Sequence, residues 1–296
     1  MRVLACLTLV VLVACGDDAS VDVRGPESQT NPSEADEIRY QGTGMVLQEA
    51  SGTAQLCQSV LTSLPPQCGG GVELVDWSWD LVDDEETSRS VTWGDYEVTV
   101  TVDGDRFNVI DAGPPRHRPS EAAEPDFTTP CPEPPGGWAT TVDHSLLTLE
   151  DLTAFHTYVD AQPDRSASWN DSTTDPKFDP DDLGSYVYDP AAAVTNIRFT
   201  QDSERHEAEI RAIWGGPICV MEGGLPGTEM LDRFQKIARD LESVGGHPVG
   251  GSVDEVGGRF VFNVVLEDPE AQAELDQQYG PGVVVIEPQL VRVEAP

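Results

Sequence analysis

Apolar and polar positions along the chain change their period three times. Val3–Val13 is an almost unbroken apolar run behind Met1-Arg2, and Gly16–Glu37 then shows no apolar periodicity at all. From residue 38 a period of two takes over. Arg39–Gln48 reads as a first strand and Val72–Trp79 as a second, with Val75, Trp77 and Trp79 on one face. Tyr96, Val98, Val100 and Val102 alternate with polar partners, Asp103-Gly104 supplies a tight turn, and Phe107 and Val109 return on the other arm. Between the first two strands, Ala54–Leu64 has a helical spacing that stops at Pro65-Pro66. Residues 38–112 are thus expected to form a small twisted β sheet or partly open barrel. An oligonucleotide-binding-type barrel has comparable strands.

Residues 113–135 form a Pro-rich linker containing Arg116-His117-Arg118, the one basic cluster of the chain. It reads as a solvated linker, with a contact to an acidic domain as the functional alternative. From Gly136 onward helices and strands alternate. Thr148, with Asp151 three residues later, caps a helix carrying Leu149, Leu152, Phe155 and Val159 on one face. Asp202 or Ser203 caps a second helix, with Ile210, Ile213 and Trp214. Thr228 opens a third, with Met230, Phe234, Ile237, Ala238 and Leu241, closed by Gly245-Gly246. Asp268-Pro269 starts a fourth, with Ala271, Leu275 and Tyr279 inward and Gly280-Pro281 as its stop. Strand-like runs lie at Trp138–Val142, Ala167–Trp169, Val194–Thr200, Ile218–Glu222, Gly258–Leu266 and Val283–Val293.

The second half repeats itself. Asn196-Ile197-Arg198-Phe199, Ala208-Glu209-Ile210, Trp214-Gly215 and Cys219-Val220 are matched by Asn263-Val264-Val265-Leu266, Ala273-Glu274-Leu275, Tyr279-Gly280 and Val284-Val285. Each copy is strand, helix, aromatic-Gly stop, strand, preceded by a helix and a strand. That order predicts two ferredoxin-like, split βαβ repeats over residues 136–296, and an α+β class for the chain.

The first apolar run ends in Leu12-Val13-Ala14-Cys15, which reads as a lipobox: cleavage before Cys15 and a diacylglyceryl group on its thiol. A spanning helix needs about 20 apolar residues, so residues 1–14 read as a lipoprotein signal peptide rather than a membrane span. One acyl chain holds marginally and two or three hold firmly, each buried methylene adding roughly 0.8 kcal/mol. Residues 15–37, rich in Asp, Ser, Pro and Gly, read as an acidic disordered tether that holds the first domain about 25 Å from the membrane. The expected location is the outer face of the cell membrane.

Charge narrows the partners. The formal net charge is −36, and loss of the signal removes one further base, Arg2. A field of that sign repels phosphate backbones, which excludes nucleic acid as a ligand. The bases are nearly all Arg, with Lys177 and Lys236 the only lysines, a skew typical of high-GC coding. Cys6 lies in the signal and Cys15 carries the lipid, leaving Cys57, Cys68, Cys131 and Cys219. An even number in an exported chain favours disulfides over metal. Three pairings are possible; short spacing makes Cys57–Cys68 the first choice and leaves Cys131–Cys219.

Leu64-Pro65-Pro66-Gln67-Cys68-Gly69-Gly70, Cys131-Pro132-Glu133-Pro134-Pro135-Gly136-Gly137-Trp138, Trp214-Gly215-Gly216-Pro217-Ile218-Cys219-Val220 and Tyr279-Gly280-Pro281-Gly282-Val283-Val284 resemble an uncharacterised family of exported, often lipid-anchored proteins of high-GC Gram-positive bacteria. The resemblance implies the same localisation and the disulfides. It carries over no catalytic residue. The insert Asn170–Ala193 departs from the family pattern.

Candidate chemistry is sparse. Asp171, Asp175, Asp179, Asp181 and Asp182 crowd the insert and offer oxygens for Ca²⁺, but the D-x-[DN]-x-[DN]-G spacing is missing and a solvated acidic loop is the plainer reading. The five histidines share no ligand spacing, and His206-Glu207 lacks the second His of H-E-x-x-H, so they read as surface or helix-packing residues. Gly250-Gly251-Ser252 is not a nucleophile elbow and reads as a turn. Trp77, Trp79 and Trp93 are the best binding-platform candidates, against core packing of a small sheet. The chain is therefore expected to be a non-enzymatic binding module for a protein, peptide or glycan, without a cofactor. An exported enzyme on an unrecognised scaffold and a Ca²⁺-responsive surface sensor are the alternatives.

Overall fold

The computed structural model describes residues 38–116 and 125–294. The lipobox with Cys15, the expected tether, and His117-Arg118 lie outside the described residues.

Strand β1 (Arg39–Glu49) organises the first half, because both of its edges are paired. One edge runs antiparallel to β7 (Val91–Asp103) for its full length, from Arg39 opposite Thr101 to Glu49 opposite Val91. The other edge meets β14 (Val284–Val293) at residues 39–41 and then β2 (Gln55–Cys57) at Val46 and Leu47. From β2 the ladder continues to β5 (Gly71–Val75), to β8 (Arg106–Gly113) and back to β7. Those five strands therefore close into a ring, with β5 and β8 parallel and the other pairs antiparallel. Alternation fills the interior as the sequence predicts: Tyr40, Val46, Leu56, Leu74, Tyr96, Val98 and Val100 share one core. A short β6 (Glu86–Ser88) lies beside β7 at the edge of the sheet.

Two expectations for this half fail. Ala54–Leu64 is not helical; it forms β2 and then β3 (Val60–Leu61), which pairs with β4 (Gln67–Cys68). Leu56 fills the ring interior as a strand residue, and the Cys57–Cys68 disulfide, with Cα atoms 5.1 Å apart, ties the hairpin back on its base. The expected strand Val72–Trp79 stops at Val75, where Asp76 turns the chain at φ 63°. Trp77 and Trp79 consequently lie beyond the strand.

The second half is a tandem α–β–β–α–β unit. The first copy comprises α1 (Leu149–Ala161), β9 (Arg165–Asp171), β10 (Val194–Phe199), α2 (Ser203–Arg211) and β11 (Ile218–Glu222). The second comprises α3 (Gly227–Ser243), β12 (Pro248–Asp254), β13 (Arg259–Leu266), α4 (Pro269–Tyr279) and β14. In each copy the middle strand is antiparallel to the strand before it and parallel to the strand after it. The repeat is thus present, within a mixed α+β fold. The split βαβ arrangement is not: β10 and β11 are direct neighbours, as are β13 and β14, and no strand separates either pair among the described residues. Helix–strand order alone leaves that insertion open, because it says nothing about which edges pair.

Each copy packs its two helices on one face of its strands. Phe155, Val159, Ile210 and Trp214 meet Ile197, Phe199 and Ile218 in the first; Met230, Ile237, Leu241, Ala271 and Leu275 meet Phe260, Phe262 and Val264 in the second. Thr148 and Asp151 form the expected capping box, and the Asp268 carboxylate accepts from the backbone N–H groups of Glu270 and Ala271. Leu149, expected inward, is 79% exposed in the first turn. The expected strand Trp138–Val142 is a 3₁₀ turn over Trp138–Thr141, where Thr140 N–H donates to Gly137 O at 3.1 Å; just after it, Asp143 N–H donates to Gly215 O in the loop after α2 at 2.8 Å. Gly250 and Gly251 lie inside β12 rather than in a turn, and a Cβ at Gly251 would overlap the carbonyl oxygen of Val261 on the paired strand.

Cys131 and Cys219 form the second disulfide, with Cα atoms 5.8 Å apart. Thr129, two residues before it, donates its N–H to Asp171 Oδ2 at 2.7 Å and accepts from Asn196 Nδ2 through its hydroxyl at 3.3 Å. Asp171, Asn196 and Cys219 belong to β9, β10 and β11 in turn, so the segment from Thr129 to Cys131 straps across all three strands. Both disulfide pairs are those expected from spacing.

Candidate functional site

Where β1 ends and β7 begins, one mouth of the barrel is closed by aromatic rings. The chain between β5 and β6 lays Trp77 and a 3₁₀ turn, Trp79–Leu81, over this mouth. Ser78 caps that turn by accepting from Asp80 N–H at 3.2 Å. Trp77 and Trp79 pack edge to face at 5.3 Å, and Tyr96 joins them at 5.7 and 6.2 Å. Such pairs are worth about 0.5–1.5 kcal/mol beyond their buried area. Trp79 Nε1–H donates to Gln48 Oε1 at 2.6 Å, and Tyr96 Oη donates to the Asp83 carbonyl at 3.1 Å. Both tryptophans remain half-buried. Trp77 Nε1 is enclosed without a hydrogen-bond partner.

Carboxylates surround this mouth. Asp76, Asp80, Asp83, Asp84 and Glu85 follow one another through the same connection and are exposed, and Asp95 is exposed beside Tyr96. Burial first, and then the negative charges of Glu85, Asp84, Asp83 and Asp95, push the Tyr96 hydroxyl above its ordinary pKa. The site is thus an aromatic surface under a negative field. Trp93 is not part of it. It is buried with Leu47 and Cys57 in a separate cluster, where it packs against the first disulfide. Tyr96, Gln48 and the carboxylates were not singled out from the sequence. Tyr96 was detectable there, since it shares the alternation of Val98 and Val100.

A second polar constellation lies in the first α–β–β–α–β copy. His206 on α2 is fully buried and stacks on Phe199 at 3.7 Å with the planes 7° apart. Tyr158 on α1 is 2.6 Å from His206 Nδ1 and donates its own proton to Glu209 Oε2, also at 2.6 Å. The Nδ1–H therefore donates to the Tyr158 oxygen, a tautomer set by the network. At Nε2, Arg205 Nη2 lies at 2.8 Å and Asp164 Oδ2 at 3.1 Å. His206 precedes Ile210 by four residues, so the helix-packing reading of the sequence matches its position.

This constellation resembles a proton relay in composition but not in access. Burial, followed by the hydrogen bond to Glu209 and its charge, pushes Tyr158 up to about 12, which leaves it protonated near neutral pH. It offers neither a base nor a nucleophile there. The nearby groove on α1, lined by Leu149, Glu150, Thr153, Ala154, Thr157 and Tyr158, is shallow and open. Because folding raises this phenol's pKa, the stability held by its neutral form is full below about 10 and is lost as pH rises through about 12. Phenol absorbance should show several late-titrating tyrosines, Tyr96, Tyr188 and Tyr279 among them, and a component at about 12 that Tyr158→Phe removes and Glu209→Gln shifts downward.

The acidic insert is dispersed into separate turns. Buried Asp175 accepts from Lys177 N–H at 2.9 Å and from the Tyr186 hydroxyl at 3.3 Å. Asp179 accepts from Asp181 N–H and Asp182 from the Ser185 hydroxyl. Among the described residues no three His, Cys, Asp or Glu side chains come together as a metal site. Arg116, of the basic cluster, pairs with Glu97 at 3.5 Å.

No helix among the described residues is long and apolar enough to cross a membrane. No protein-family profile, curated protein or solved structure matches the chain.

Proposed function

We propose that this protein is a lipid-anchored, non-enzymatic binding module at the outer face of the cell membrane, and that the acid-rimmed aromatic mouth of its barrel takes a cationic segment of a protein or peptide partner. The anchor reading rests on the signal-like run and Cys15, and on the resemblance to exported proteins of high-GC Gram-positive bacteria. Two disulfides agree with an oxidising compartment. The binding reading rests on one observation: Trp77 and Trp79, both half-buried, cluster over the buried Tyr96 with the exposed Asp80, Asp83, Asp84 and Glu85 in the same connection. A cation over an indole face gains about 0.5–1 kcal/mol at an exposed site and about 2 when desolvated. Neighbouring carboxylates add attraction and steer the approach.

The closed ring supports a binding role. Five strands with one parallel pair match an oligonucleotide- or oligosaccharide-binding-type barrel. A net charge of −36 opposes any phosphate backbone, which leaves the fold's capacity for binding without its nucleic-acid ligand.

The tryptophan emission of the full chain, titrated with a lysine-rich peptide, tests this. A saturable change that weakens with salt is expected, and it should weaken further in Asp83→Asn/Asp84→Asn, whose exposed side chains leave the core intact. An equal response to a neutral oligosaccharide, or none to the peptide, would sink the reading.

A further inference from the structure

The geometry points to the β3–β4 hairpin as a second membrane contact, a rigid apolar tip that rests in the interfacial layer of the bilayer. This inference rests on the anchored reading. Residues 50–72 contain no Asp, Glu, Lys, Arg or His, the longest uncharged run in a chain whose net charge is −36. The hairpin lies in the middle of that run. Its tip exposes Val60 (41%), Leu61 (54%) and Leu64 (73%). Elsewhere on such an acidic surface, approach to a membrane would drag carboxylates out of water; the hairpin itself carries no charge.

Part of the tip's backbone is already bonded internally. Entry into an apolar layer requires polar main-chain groups to be satisfied internally. Gln58 N–H donates to Gly70 O and Gly69 N–H to Ser59 O, extending the β3–β4 pair downward. At the turn, Ser63 N–H donates to Leu61 O, the Ser63 hydroxyl donates to Pro65 O at 2.8 Å, and Gln67 Nε2 donates to the Ser63 oxygen at 3.2 Å. Pro65 and Pro66 carry no N–H. Cys57–Cys68 ties the hairpin to the barrel, so little order has to be gained on contact.

A lipid surface fits this tip better than a protein partner does. Protein hot spots are dominated by Trp, Tyr and Arg, and residues 57–70 contain none of these. Three aliphatic side chains bind a bilayer weakly when free in solution. On a chain already held by Cys15 through the 22 residues from Gly16 to Glu37, the bilayer is always within reach, and a weak contact suffices.

The test uses the full lipidated chain reconstituted into phosphatidylcholine vesicles that contain brominated phosphatidylcholine. Leu64→Trp adds an indole at the tip, and Leu183→Trp adds one at an exposed position in the insert. Bromine should quench most of the emission added by Leu64→Trp and none of that added by Leu183→Trp. Leu61→Asp in the Leu64→Trp background should relieve the quenching without lowering thermal stability. Vesicle flotation with unquenched Leu64→Trp would overturn the tip contact alone. Failure of the wild-type chain to float would overturn the anchor and the tip contact together. A concentration-dependent blue shift of Leu64→Trp in detergent, with no bromine quenching, would assign the tip to a second copy of the chain and overturn the lipid contact.

Discussion

Replacing Cys131 and Cys219 together by alanine is expected to destabilise the protein by about 4 kcal/mol, since the bridged residues are 88 apart and the loop-closure entropy grows with the logarithm of that length. The closed loop holds the first α–β–β–α–β copy up to the start of β11. Its loss would also free the strap from Thr129 to Cys131, leaving Asn196 and Asp171 short of partners inside the protein. For a domain whose total stability is of order 5–15 kcal/mol, that is a large fraction. Urea unfolding should show a clear drop in midpoint. The corresponding Cys57→Ala/Cys68→Ala variant opens a loop of separation 11 and should lose only about 2–3 kcal/mol. A larger loss from the short loop would show that packing of that disulfide under Trp93, rather than chain entropy, sets its contribution.

Gly42→Val should cost about 3 kcal/mol, the upper part of the usual range for overpacking. Gly42 lies in β1 just past its pairing with β14, and a Cβ there would overlap the Gln289 carbonyl oxygen. The obstacle is backbone, so no rotamer change relieves it. The β1–β14 pairing is what joins the barrel to the second α–β–β–α–β copy within one sheet. Leu290, fully buried in the barrel core, comes from that same strand. Thermal unfolding of Gly42→Val is therefore expected to lose cooperativity as well as midpoint. Gly113→Ala meets nothing within 4 Å and should change stability by less than about 0.5 kcal/mol. Equal melting of the two variants would mean that the β1–β14 crossing bends without cost.

Both predictions concern features that reach across the chain; the disulfide was legible from cysteine count and spacing, whereas the β1–β14 crossing was not. Local chemistry was readable wherever one residue and its neighbours decide the outcome. Thr148 with Asp151, and Asp268 with Pro269, fix helix starts through side-chain acceptors within four residues. The alternation through Val98 and Val100 fixes which face of β7 turns inward. Misreadings arose where a distant partner overrode the local pattern. Ala54–Leu64 has helical spacing, yet Leu56 is claimed by the barrel interior and Cys57 by Cys68. Trp138–Thr141 forms a 3₁₀ turn, and the residues just after it, Asp143 and Leu146, bond to Gly215 beyond α2.

The candidate site divides in the same way. Trp77 and Trp79 were visible as aromatic neighbours, but grouping Trp93 with them ignored that it turns to the other face of β7. Tyr96 entered the site because the ring brings β7 beside the connection after β5. Of the insert's carboxylates, adjacent in sequence, Asp175, Asp179 and Asp182 are each engaged in their own turn.

The sequence by itself determined the acidic charge, the helices after residue 136 and the internal repeat, and it favoured the disulfide pairing that forms, since each depends on spacing or on residue chemistry along the chain. Only the tertiary structure decided the closure of the barrel, the direct βαβ neighbours in place of the split arrangement, and the aromatic mouth. Those depend on which strand edges meet. Edge pairing is chosen by backbone hydrogen bonds that every residue except proline offers equally, and side-chain pattern therefore leaves it open.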